Sequence, residues 1–162
     1  MSKGGKSRSI AMKLSALARE KSVPYEKVLT EFLIERMLVR LVTSPQLGAA
    51  FIFKGGYVGR RAYGSPRYTV DLDALLRSGS ISTLQREIVE SAERDIGDST
   101  WFLFQETQDL QTQGEYPGIR FVFRAGIGDV PTDLRMAQIV NFDIGVGDFA
   151  QPISMELKPI LG

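Results

Sequence analysis

Residues 51–76 read FIFKGGYVGRRAYGSPRYTVDLDALL, and few folds accommodate that order. The pattern is strand, tight glycine turn, short helix, turn, strand. Phe51-Ile52-Phe53 is an apolar, β-favouring run that stops at Lys54. Gly55-Gly56 lets the backbone turn sharply and lets another group come close, because neither residue carries a Cβ. Gly64-Ser65-Pro66 is the next break, and Arg67 to Asp73 follows it. Strand alternation puts Arg67, Thr69, Asp71 and Asp73 on one face and turns Val70 and Leu72 toward the core. Two carboxylates ~4 Å apart repel by about 4 kcal/mol at an effective dielectric of ~20. A cation between them removes that cost, and a hard divalent ion such as Mg²⁺ (or Mn²⁺) suits oxygen donors.

Composition narrows the chemistry. The 162 residues include no histidine, so His-based triads and His-ligated zinc are excluded within this chain. Acid–base and metal chemistry must use carboxylates, lysines or tyrosines. There is no cysteine and hence no disulfide framework, which fits a cytoplasmic location. No apolar run reaches the length of a membrane span, so no membrane partner is expected. The length suits one domain with a real core. The net charge is only +1, yet Lys3, Lys6, Arg8, Lys13 and Arg19 all precede the first acidic residue, Glu20. Such an arm can contact nucleic-acid phosphates or serve as a solvated tail.

Along the rest of the chain, Ile10, Leu14, Leu17 and Ala18 recur at helical spacing, and a second amphipathic helix runs from about Pro24 to Val42. Arg36 and Arg40 share a face of it; they are placed either to reach phosphate or to pair with Glu35 and Glu31, and pairing is the expectation. Ser82-Thr83-Leu84-Gln85 fits a capping box at the start of a helix that Gly97 should stop. Strands are expected at Trp101–Leu110 and around Ile119–Arg124, where Ile119, Phe121 and Phe123 form one strongly apolar face. In Gln138 to Val146, Val140, Phe142 and Ile144 share one face and Ile139, Asn141 and Asp143 the other, which puts a third carboxylate on a strand.

The order Lys54-Gly55-Gly56, short helix, then Arg67-x-Thr69-x-Asp71-x-Asp73 resembles the polymerase-β-like nucleotidyltransferases. It is more closely similar to the AbiEii type of toxin nucleotidyltransferase of bacterial and archaeal abortive-infection and toxin–antitoxin systems. The resemblance covers about Ile10 to Leu161 and includes Glu35–Leu41 before the glycine strand. It also includes Asp143-Ile144-Gly145-Val146-Gly147-Asp148, which looks like the family's third-carboxylate strand and its Gly-Asp turn. Many superfamily members have Gly-Ser where this chain has Gly55-Gly56, which removes a hydroxyl that often meets a phosphate.

The resemblance implies an α+β nucleotidyltransferase fold, a mixed and largely antiparallel sheet with helices packed on it. It implies transfer of NMP from an NTP to an RNA, such as a tRNA 3′ end, or to a protein, with a separately encoded antitoxin as partner. Asp71, Asp73 and Asp143 would be the catalytic and metal-binding residues, with Mg²⁺ (or Mn²⁺) as cofactor. Lys54, Gly55, Gly56, Arg67 and Thr69 would bind the nucleotide; Arg60 and Arg61 are further cations within reach by sequence. Family members continue into a helical half with another lysine and aspartate, and this chain reaches Gly162 where that half begins. The expectation is a flexible basic tail over 1–9 and a nucleotidyltransferase core over 10–162 without the helical half. Such a core would transfer poorly or not at all; Ile153, Met155, Leu157, Ile160 and Leu161 would form an open patch or pair with another copy of the chain, with self-association through this segment or the open cleft. Two other classes remain as alternatives: a nucleotide- or RNA-binding module without transferase activity, and a nucleotide-sugar glycosyltransferase, a class that also uses Asp-x-Asp.

Overall fold

The computed structural model describes residues 3–111, 117–146 and 153–162. In chain order the elements are α1 (Lys3–Lys21), α2 (Tyr25–Val42), β1 (Phe51–Lys54), α3 (Gly55–Tyr63), β2 (Asp71–Leu76), α4 (Ile81–Glu93), β3 (Thr100–Gln111), β4 (Pro117–Ile127) and β5 (Gln138–Gly145). The strands form one sheet in the order β1-β2-β5-β4-β3. The β2–β5 pair is parallel and the other three pairs are antiparallel, which is the mixed, largely antiparallel sheet expected. Among the described residues no helix is long and apolar enough to cross a membrane.

Strand alternation decides which face is covered. Leu72 and Ala74 of β2, Phe121, Phe123 and Ala125 of β4, and Val140, Phe142 and Ile144 of β5 are fully buried. They pack with Leu33, Ile34, Met37 and Leu41 of α2 and with Ile88 and Ala92 of α4. Burying a side chain of this size stabilises the fold by roughly 1.5–3 kcal/mol. Phe142 is central, meeting Phe51 edge-on at 5.3 Å between centroids and stacking with Phe53 at 6.3 Å. The polar residues between these positions occupy the opposite face, where the candidate site lies. A second cluster joins α1 to α2 through Leu14, Ala18, Val28 and Phe32.

Three charged groups among the described residues are buried, Glu31, Glu35 and, most completely, Arg40. Arg40 is 0% exposed, yet all its donors have partners. Nη1 and Nη2 donate to Asp98 at 3.0 and 3.1 Å, Nε to the Arg94 carbonyl at 3.0 Å, and Nη2 to the Thr100 carbonyl at 3.1 Å. Its guanidinium also lies 4.8 Å from the centroid of the Phe102 ring. This network ties α2 to the entry of β3. The expected pairing of Arg40 with Glu31 is replaced, because Glu31 pairs with Arg60 and Glu35 with Arg61.

Several local expectations change. Residues 3–9, read as a tail, lie in α1. The cap of α4 is Ser80, whose hydroxyl accepts from the Thr83 amide, and the helix ends at Glu93, well before Gly97. Strand β2 begins at Asp71, so the alternation does not extend back to Arg67, and Val70 is 55% exposed. At the other end Ile160 and Leu161 pack on the α1–α2 cluster. The Ile160 amide donates to Glu35 at 2.9 Å and Arg61 to the Lys158 carbonyl at 2.6 Å. The open patch expected of this segment is thus reduced, with Ile153 and Met155 still exposed. Asp148 lies outside the described residues.

Candidate active site

Asp71 and Asp73 open β2, and its parallel partner β5 sets Asp73 directly beside Asp143 and Asp71 beside Asn141. Neighbouring strands are about 4.8 Å apart, so these groups meet on one face. On the far side of β5, β4 places Arg120 opposite Asp143. Arg120 Nε donates to Asp143 Oδ1 at 2.8 Å and Nη2 to Oδ2 at 2.9 Å, a two-pronged ion pair. The same Nη2 lies 3.5 Å from Asp71 Oδ2. Asn141 Nδ2 donates to Asp71 Oδ1 at 3.0 Å, while the Asn141 carbonyl oxygen is buried without a partner.

Asp73 differs from its neighbours. Among the described residues it has no hydrogen-bond or ion-pair partner. Burial raises its carboxyl above the ordinary range, the nearby charges of Asp143 and Asp71 raise it further, and Lys54 and Arg120 pull the other way. The Asp143 hydrogen bonds, against the opposing effect of burial, hold the Arg120 guanidinium more firmly protonated than usual.

On the other side of β2, β1 pairs Lys54 with Asp73. Helix α3 starts at once from Lys54, and no side chain caps it, so its first amide groups are open to an incoming anion. Gly55 has φ +82°, and a Cβ there would overlap the Asp73 carboxylate. A Cβ at Gly56 would overlap the Thr69 methyl group. The two glycines therefore let a helix N-terminus approach the carboxylates, at a place no side chain fits. Thr69 donates its hydroxyl to the Asp71 carbonyl at 3.2 Å, which holds the chain entering β2.

Lys54, Gly55, Gly56, Thr69, Asp71, Asp73 and Asp143 thus come together. Arg67 is exposed, and its side chain makes no hydrogen bond or ion pair with these groups or with any other described residue. Arg60 and Arg61 are engaged elsewhere. Arg60 pairs with Glu31 and lies 3.5 Å from the centroid of the Tyr68 ring, and Arg61 pairs with Glu35 at 2.8 Å. Sequence reasoning assigned no site role to Arg120 or Asn141. Their alternation on β4 and β5 was visible, but strand order decides which partners they meet.

The donor set suits a hard divalent cation. Carboxylate oxygens crowd together, Asp73 is unpartnered, and the orphaned Asn141 carbonyl oxygen adds a neutral donor. As the side chains stand, however, no group of three or more acidic residues among those described is disposed to hold a metal ion. Arg120 lies across two of these carboxylates, paired with Asp143 at 2.8 Å and 3.5 Å from Asp71.

Comparison with known proteins bears on this arrangement. The family described as nucleotidyl transferase AbiEii toxin, type IV TA system, matches residues 36–162. A solved structure titled "Crystal structure of putative nucleotidyltransferase from H. pylori" is 16% identical, with a TM-score of 0.42. The match covers 71% of this chain and 43% of that one, so the chain spans less than half the length of that protein. No curated protein matches the chain.

Proposed function

The chain belongs to the AbiEii family of nucleotidyltransferase toxins of type IV toxin–antitoxin systems, and we propose that it transfers NMP from an NTP to a hydroxyl of an RNA, such as a tRNA 3′ end, using Mg²⁺ (or Mn²⁺). The observation that carries this reading is the juxtaposition of Asp73 with Asp143 on adjacent strands, beside the uncapped N-terminus of α3. Asp71 and Asp73 would hold the metal, which when bound neutralises phosphate charge and acidifies an attacking hydroxyl. The α3 amides at Gly55 and Gly56 would receive phosphate oxygens, and Lys54 would add a positive charge from the β1 side. Asp143 would orient or deprotonate the acceptor hydroxyl. Thr69 would hold the β2 entry in place. A separately encoded antitoxin is the partner this family membership suggests.

The test is a single-turnover incubation at high protein concentration with Mg²⁺, each NTP separately, and total tRNA. The expected result is a mass increment of one or more NMP units on RNA, with a preferred NTP, absent in EDTA and in Asp73→Asn. An increment on the protein itself would make the acceptor a polypeptide hydroxyl. Tight nucleotide binding with no increment on RNA or protein would replace the transferase reading with that of a binding module. Cleavage of a nucleotide sugar instead would make the protein a glycosyltransferase.

A further inference from the structure

We infer that Arg120 is the resident cation of this site: it takes the place of a second metal on Asp143, so that the protein binds one divalent ion, through Asp71 and Asp73. The inference rests on the transferase reading and specifies its metal requirement. Three carboxylates face one another here, and a site built for two divalent ions would leave all three open to them. Instead both oxygens of Asp143 accept hydrogen bonds from Arg120, whose other contact is Asp71 Oδ2 at 3.5 Å.

The pair is set by backbone register. Arg120 and Asp143 are opposite one another in the antiparallel β4–β5 ladder, so the guanidinium fork reaches the carboxylate without crossing open solvent. The Asp143 side chain is only 12% exposed. An ion entering Asp143 would have to displace a two-pronged guanidinium from a carboxylate that is largely buried, breaking two charge-assisted hydrogen bonds.

Charge balance points the same way. Asp71, Asp73 and Asp143 with Arg120 carry a net charge of −2, which one divalent ion cancels. Lys54 pairs with Asp73 in the ladder but forms no ion pair with it, leaving its charge for the nucleotide. Of the donors, Asp73 is unpartnered among the described residues, Asp71 Oδ2 has only the 3.5 Å contact with Arg120, and the buried side-chain oxygen of Asn141 has no partner. Magnesium commonly takes one or two carboxylates and completes its shell with substrate phosphates and water.

Mn²⁺ alone is the probe, with the free ion followed by its electron paramagnetic resonance signal as it is titrated into the full chain. The wild-type protein is expected to take up one ion. Asp71→Asn should weaken that uptake by roughly tenfold or more, whereas Asp143→Asn should change it by less than about threefold, because Arg120 already cancels that charge. Arg120→Gln frees Asp143 and should allow a second ion to bind. Two ions on the wild-type protein, or an Asp143→Asn defect as large as that of Asp71→Asn, would overturn the inference while leaving the transferase reading intact. A folded Arg120→Gln protein that still takes a single ion would also overturn it, giving Arg120 a purely structural role. No uptake by either wild type or Arg120→Gln would overturn this inference, and the transferase reading would then stand or fall on the transfer assay with NTP and Mg²⁺. If Arg120→Gln does not fold, the wild-type count and the Asp143→Asn affinity still decide.

Discussion

Asp71→Asn is expected to leave the protein folded and to lower nucleotide transfer by about 10³-fold or more. A bound ion supplies several kcal/mol of transition-state stabilisation, and ~4 kcal/mol corresponds to about three decades of rate. The substitution removes one of the two carboxylates assigned to that ion and keeps the side chain's shape. Asp71 is partly exposed at the mouth of β2, where its contacts are Asn141 and the edge of Arg120. Those contacts are polar and solvent-reached, so the thermal midpoint should move by only ~2 °C or less. Single-turnover transfer rates and a melting curve on the same preparation check both halves. A collapsed melting curve would identify Asp71 as a structural ion-pair residue instead.

The largest expected effect on stability is far from that face. Asp98→Asn should destabilise the protein by about 3–5 kcal/mol at neutral pH, because it leaves Arg40 charged in the interior without its counter-ion. For a chain of this size that is a fall in Tm of roughly 6–20 °C. The effect has a pH signature. Burial alone would raise the Asp98 carboxyl, but hydrogen bonds from Arg40 and Thr100 and the Arg40 charge more than offset it and hold the carboxyl below its ordinary range. A folded-state pKa that is lowered contributes stability fully present above the unfolded value of about 3.9 and lost as pH falls through the folded value. The gap between wild type and variant should therefore be full at neutral pH and should close only below about pH 4. Denaturant unfolding at neutral pH and at pH 3–4 measures it. Since Arg40 also satisfies the carbonyls of Arg94 and Thr100, removing the arginine should cost at least as much as removing the aspartate.

Much of this architecture could be read from the chain because the determining signals are local. The strand–glycine–helix order of residues 51–63 depends on apolar residues that stop at Lys54 and on two glycines in succession, and the structure has β1 and α3 there. The alternation of Val140, Phe142 and Ile144 against Asn141 and Asp143 needs only the two-residue period of a strand, and those three apolar residues are fully buried. The helix at 25–42 follows from its periodic apolar stripe and the break at Ser44-Pro45.

What could not be read depends on contacts between distant parts of the chain. Arg120 resembles any outward arginine on a strand until β4 is known to lie against β5 in a register that sets it opposite Asp143. Arg40 resembles a surface residue of an amphipathic helix until Asp98, 58 positions away, closes over it. Residues 3–9 are rich in glycine and lysine, a poor helical sequence on propensity alone. Their helical state accompanies the packing of Ile10 and Leu14 against α2 and a hydrogen bond from Lys6 to the Gly97 carbonyl. Val70 fails as an inward strand residue because the strand starts one residue later. Ser80 captures the helix cap from Ser82 because its hydroxyl, rather than that of Ser82, lies against the Thr83 amide.

The fate of two labels tests the proposed chemistry most directly. The preferred NTP would be supplied with radioactive phosphorus at either the α or the γ position, together with Mg²⁺, the protein and its acceptor. If Asp71, Asp73 and Asp143 serve nucleotidyl transfer, the α label must appear covalently on the acceptor and the γ label in pyrophosphate, and neither should move in EDTA. Appearance of the γ label on the acceptor, with the α label retained in a nucleoside diphosphate, would contradict the account by making the reaction a phosphoryl transfer.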